Sequence, residues 1–187
     1  MSIKTFLGLT VVGTICLSCQ SNVYQIEGFA RDLNDGDTIC MIQKLNDRMS
    51  TITLVENGKF AFAGETSDIS VCQIFAKKAP DETVTFFLEP SRITVELASQ
   101  PEGNRVSGTY INNQWQQLSD SIALLGREAV KTVLRQARDS AEQQQQAKSI
   151  DSIHRRMSDC IQNTAKRNSD NALGQYIHQN YEAPKFD

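Results

Sequence analysis

Clustered positive charge is the first thing this 187-residue sequence lacks. Its 19 Lys and Arg are outnumbered by 22 Asp and Glu, giving a formal net charge of -3 with no basic stripe. Nucleic-acid binding relies on clustered cations that displace counterions, so that partner class is excluded. Histidine is scarce as well, with only His154 and His178, each in a different helical segment. A zinc centre needs a ligand cluster or a histidine pair at helical spacing, so no metal site is expected. No G-x-S-x-G elbow is present, and His154 is followed by Arg155-Arg156 on what reads as a solvated helical face. No catalytic residue and no cofactor is therefore assigned, and a non-enzymatic protein is expected. Proline is absent between Gly108 and Gly174, where Gly126 is the single glycine, so helix can run long there.

Long apolar runs are also missing, apart from one near the start. Lys4 precedes FLGLTVVGTICL, the twelve uncharged residues Phe6 to Leu17. That is the length of a signal-peptide h-region and too short to span a bilayer. The run ends on Leu17-Ser18-Cys19, a small residue directly before a cysteine. Cys16-x-x-Cys19 has the spacing of a redox dithiol, but such a pair normally opens a helix after a strand, inside a folded domain. The segment instead resembles the lipobox of bacterial lipoprotein precursors, with Cys16 standing where Leu or Val is usual. Bulky Ile15 precedes Cys16 and makes it the poorer acceptor. The resemblance implies a signal peptide over residues 1–18, acylation (palmitate among the chains) at Cys19, and a lipid-anchored tether over 19–22. It also implies export and anchoring in the cell envelope. With no Asp after Cys19, the expected place is the periplasmic face of the outer membrane of a Gram-negative bacterium.

From residue 23 to 108 short alternating runs are parted by turn residues, the pattern of an antiparallel β-sandwich or open barrel of seven or eight strands. The runs are 23–31, 38–45, 49–55, 59–65, 70–77, 83–89, 93–97 and 105–108, with APDE and PSR read as turns. Asn57-Gly58 is the strongest hairpin signal, because both residues tolerate the positive φ of a type I′ turn. A two-residue loop there would pair Val55 with Phe60 and Thr53 with Phe62. That aromatic face should be buried, and Ile52, Leu54, Ala61 and Ala63 should lie opposite.

After Gly108 the period changes. Ile111, Trp115, Leu118, Ile122, Leu125, Ala129 and Val133 recur at three- and four-residue steps, and Ile150, Ile153, Met157, Ile161 and Ala165 form a second stripe. Asn168-Ser-Asp-Asn171 reads as a helix break and N-cap. A helical region over 109–182 and a tail over 183–187 follow, so the fold class is α+β.

Several residues suggest chemistry and have plainer explanations. Cys40 and Cys72 fall in strands and Cys160 on the second stripe, where free cysteine acts as a small apolar residue. A Cys40–Cys72 disulfide remains open at this level. Asp32-Leu-Asn-Asp-Gly-Asp37 suggests calcium, yet Gly36 is fifth rather than sixth and no helix enters, so an acidic hairpin turn is preferred. Trp115 reads as an anchor between helix and sheet.

Four segments together, YQIEGFARDLNDGDTICMIQ, VENGKFAFAGET, FFLEPSRITVEL and VSGTYINNQWQQL, resemble an envelope domain known as domain of unknown function 4369. The resemblance covers Tyr24 to Leu118, and Asn168 to Tyr181 resembles the end of the usual helical connector. Such domains usually precede a thioredoxin-like module, which implies a redox setting. The sequence ends at Asp187, where that module would begin, and holds no Trp-Cys-x-x-Cys after Cys19. The expectation is a lipid-anchored binding or interaction module whose partner is the membrane, through its lipid, and an unknown protein or small ligand. The alternative is an accessory acting in trans with a thioredoxin-like thiol-disulfide oxidoreductase, or a shortened relative of one.

Overall fold

In the computed structural model, residues 22–43, 48–98 and 103–181 are described. Eight strands come first: β1 (Val23–Ala30), β2 (Thr38–Gln43), β3 (Arg48–Leu54), β4 (Lys59–Glu65), β5 (Ser70–Ala76), β6 (Ala79–Leu88), β7 (Arg92–Leu97) and β8 (Arg105–Ser107). Three helices follow: α1 (Tyr110–Val133), α2 (Ser140–Arg167) and α3 (Ala172–Asn180).

The strands form two four-stranded sheets, ordered β4-β1-β7-β8 and β3-β2-β5-β6, that face each other without closing into a barrel. Period-two alternation sets the inward faces. Along β1, Tyr24, Ile26 and Ala30 are buried while Gln25 and Glu27 are exposed; along β5, Ser70, Cys72, Ile74 and Ala76 point inward. These side chains join Phe60, Phe62, Phe86, Ile93 and Val95 in one hydrophobic core. The domain is not wholly antiparallel: β1 and β7 pair in parallel, Ile26 opposite Ile93 and Gly28 opposite Val95. Alternation marks a strand and its buried face but carries no sign of direction. Gly28 is also fixed by its neighbour across the sheet, since a Cβ there would lie 2.2 Å from the Phe60 ring.

Asn57 and Gly58 take φ of 52° and 70°, the expected turn. The expected ladder beyond it does not form. Glu56 and Lys59 exchange backbone bonds of 2.8 and 3.1 Å, and then the two arms enter different sheets. Phe62 lies opposite Ile26 and Thr53 opposite Ile39. Each arm finds a longer partner in its own sheet than the short hairpin offers. The face assignment stands, because Val55, Phe60 and Phe62 are buried while Ile52 and Leu54 are more than half exposed.

The expected turn at APDE lies inside β6, and the chain reverses earlier, at Lys77-Lys78, so that Ala76 pairs Ala79. β6 is an edge strand, where the missing N–H of Pro80 costs no ladder bond and exposed Asp81 and Glu82 discourage further pairing.

The side of the sandwich between edges β6 and β8 is closed by α1. Thr109 caps this helix by accepting from Asn112 N. Asp139 caps α2, accepting from Glu142 N at 2.8 Å, and Asn171 caps α3, accepting from Leu173 N and Gly174 N. Gln116 reaches Val106 N and Asp120 reaches Arg105, so α1 runs antiparallel to β8 and in the direction of β1. Beyond Asp120 it passes the end of the sheets for thirteen residues, about 20 Å at helical rise. There it pairs with α2 as an antiparallel two-helix arm, tied by Glu128 to Arg156 and by Thr132 to Gln146.

Candidate interaction surface

Cys16 and Cys19 lie outside the described residues. The other cysteines are unpaired. In the β2–β5 ladder Cys40 is opposite Phe75 and Cys72 opposite Gln43, so the two thiols occupy different rungs. Cys72 is fully buried, which pushes its thiol up to about 11, and contact with Ser70 offsets only part of that cost. A thiol held neutral in this way is a poor nucleophile. Cys160 is half-buried against the core. His154 and His178 are exposed on α2 and α3.

The acidic turn satisfies its own carboxylates. Asp37 accepts from Asn34 N at 2.7 Å and pairs with Lys78 at 2.6 Å, which together hold it below the usual carboxylate range, while Asp35 accepts from Gly58 N. Among the described residues no group of three or more His, Cys, Asp or Glu is arranged to hold a metal ion. Nor, among them, is any helix long and apolar enough to cross a membrane.

The most developed constellation lies where α1 meets the sheet edges. Asn112, fully buried, accepts from Phe87 N at 2.8 Å and donates to Phe87 O at 2.8 Å, occupying the places a ninth strand would take on β6. Trp115 donates its indole N–H to Thr85 O at 2.8 Å. Gln116 accepts from Val106 N at 2.7 Å on the opposite edge and donates to Asp120, which also receives Arg105. One helical face therefore satisfies both open edges, which would otherwise present unpaired backbone groups. The indole of Trp115 packs edge-on to Phe87 and Tyr176, with Tyr181 beside it, confirming an anchor role. Asn112 has no counterpart in the sequence reading: within a helical stripe a polar residue reads as solvent-facing, and only the neighbouring strand reveals its partner.

The arm is built differently. Gln146 donates to the carbonyls of Thr132, Val133 and Arg135, at and just past the C-terminus of α1, where helical carbonyls run out of i+4 partners. Arg156 makes two 3.0 Å bonds to Glu128. A cavity of about 310 Å³ opens at the helix junction, lined by Lys131, Arg135, Glu142 and Gln145 among others. Large apolar side chains are left in solvent along the same stretch: Leu124, Val130, Val133 and Leu134, each between 59% and 76% exposed.

Comparison with curated proteins and with solved structures returns no match for this chain. A match does come from the family described as Domain of unknown function (DUF4369), over residues 24–115. That span starts at the second residue of β1 and ends on Trp115, so it contains the sandwich, Asn112 and the indole anchor, and stops short of the arm. Residues 24–115, the β-sandwich and the helix start that completes it, are a domain of the DUF4369 family.

Proposed function

We propose that this protein is a non-catalytic, lipid-anchored module of the cell envelope that holds an interaction surface away from the membrane. Cys19 is the lipid acceptor, after removal of residues 1–18. One observation carries the reading: β1 begins at the end of the sandwich opposite to the one the arm passes. Val23, four residues after Cys19, opens β1, and α1 passes the end where β1 finishes, extending about 20 Å further. A protein tethered at one end would present the arm tip, with its exposed apolar and basic side chains, to the envelope space. The buried thiols and the two separated, exposed histidines favour binding over chemistry.

Metabolic labelling with a palmitate analogue tests the anchor. Wild-type protein should carry label and sediment with membranes. Cys19→Ala should lose the label and become soluble, and Cys16→Ala should still be labelled. Retention of label by Cys19→Ala would falsify this reading. A second reading, an accessory to a thioredoxin-like oxidoreductase in trans, draws on the family membership. Cross-linking in intact cells separates the two, since the accessory role requires such an oxidoreductase among the captured proteins.

A further inference from the structure

The arm carries a basic row that a linear reading of the sequence hides. Arg127, Lys131 and Arg135 follow one another at four-residue steps, along one side of α1 and the turn that ends it. Beside them Gly126, Val130 and Leu134 form an apolar row with the same step. The six residues line one shallow, open groove of about 570 Å³. Val130 and Leu134 are 59% and 76% exposed there. Although the chain has a formal net charge of -3, residues 127–139 hold four cations against two carboxylates. Among the described residues Arg127, Lys131 and Arg135 form no ion pair. The nearby carboxylates are already engaged: Glu128 holds Arg156, Asp139 accepts from Glu142 N, and Glu142 accepts from Arg138 N. Gly126 shapes the floor of the groove. A mid-helix glycine destabilises its helix relative to alanine, yet a Cβ here would meet nothing within 4 Å. No contact within the chain requires it, whereas a partner helix comes closest over a small residue.

We propose that this groove docks an acidic amphipathic helix of a partner protein. The partner's apolar row packs on Gly126, Val130 and Leu134, and its carboxylates, four residues apart, face Arg127, Lys131 and Arg135. The repeats match. Cations here recur about every 6 Å along the axis, as do carboxylates four apart on a helix lying alongside. Two adjoining rows of different chemistry also set this partner apart from other occupants. A polyanion without apolar groups would leave Val130 and Leu134 in water. A lipid surface favours aromatic anchors, and α1 holds no aromatic residue beyond Trp115. A second copy of α1 would set these cations against cations if antiparallel, or against the apolar row if parallel. The proposal names the partner class for the arm, so it rests on the interaction-module reading but not on the lipid anchor.

The test uses the full chain carrying Cys19→Ser, so that no lipid contributes, and a fluorescent peptide of about 18 residues, long enough to hold a helix. The probe is alanine-based, with Leu at every fourth position and Glu directly after each Leu. It should bind with a Kd of about 100 µM or tighter in fluorescence anisotropy. The same peptide with Lys in place of Glu should bind at least about tenfold more weakly. Arg127→Glu combined with Lys131→Glu should reverse that preference. Lys148→Glu, a charge reversal on α2, should change the Kd by about twofold or less. Gly126→Leu should weaken binding at least about fivefold by filling the groove, with unchanged circular dichroism. Equal affinity for the two peptides, or a double reversal that leaves the preference unaltered, overturns the proposal. So does sedimentation with phosphatidylglycerol vesicles in place of peptide binding, or a stable dimer that buries the groove. Partners cross-linked in intact cells together with no peptide binding overturn the acidic class alone. Cross-linking that captures nothing overturns the interaction-module reading itself.

Discussion

At the scale of single residues, the sandwich depends on side chains standing in for backbone. Asn112 supplies one donor and one acceptor to Phe87, both buried. Asn112→Ala takes this partner from both the N–H and the C=O of Phe87 and should cost roughly 2–4 kcal/mol, read as a lower midpoint in urea. Trp115→Phe keeps a ring against Tyr176 but loses the bond to Thr85 O, so a loss of about 1 kcal/mol is expected. Equal losses from the two substitutions would contradict this ranking. Cys72 gives a pH-dependent prediction. Its folded thiol titrates near 11, above its ordinary value of 9.0, so between those values the folded state holds a proton that the unfolded state has released. Stability from this group is intact below pH 9 and falls as pH rises toward 11, by roughly 2–3 kcal/mol at most. Buried Tyr24 and half-buried Tyr176, both raised by desolvation, drive the same direction. Comparing wild type with Cys72→Ala in urea at pH 8 and pH 10.5 isolates the thiol: the gap should change in favour of the alanine protein at the higher pH.

At the scale of elements, sequence pattern and structure agree wherever one periodicity decides. Eight strands appear, all but β6 within about two residues of their expected limits, and the helical region follows them, because burial on one face writes a period of two or 3.6 into the chain; the break between α1 and α2 was not read. Pairing was less legible. The Asn57-Gly58 turn is encoded locally, but whether its arms stay together is a competition between that hairpin and the strands β1 and β2. The outcome depends on residues more than ten positions away. The start of β6 shows the same limit, since Pro80 is compatible with a strand only at a sheet edge, and edges are not visible in sequence. The arm yields a prediction of local rather than global loss. Gln146→Ala removes the donor to the carbonyls of Thr132, Val133 and Arg135 at and just past the end of α1, so amide exchange around residues 130–136 should quicken while the main unfolding transition barely shifts. Arg156→Ala should cost below about 1 kcal/mol, because the pair with Glu128 is half exposed.

At the scale of the whole molecule, the sandwich and α1 are a single cooperative unit. Removing residues 109–181 would uncover the edges of β6 and β8 together with the ring of Phe87. Such a truncated chain should aggregate or remain unfolded. A chain that retains the helices should unfold in one transition seen alike by far-ultraviolet circular dichroism and Trp115 fluorescence.

The sequence alone determined the element types, the buried faces, the Asn57-Gly58 turn, the anchoring role of Trp115 and the family, because each is written in local spacing or in a run of turn residues. The candidate surface was legible only in part: Trp115 stands out as the anchor of its stripe, whereas Asn112 reads as a solvent-facing polar residue until its partner strand is known. Tertiary structure alone decided that β1 lies parallel to β7, that the hairpin arms separate into two sheets, and that Asn112 serves as a missing strand. Those features depend on which distant backbone groups are left unpaired once the core has closed, and no local pattern records that.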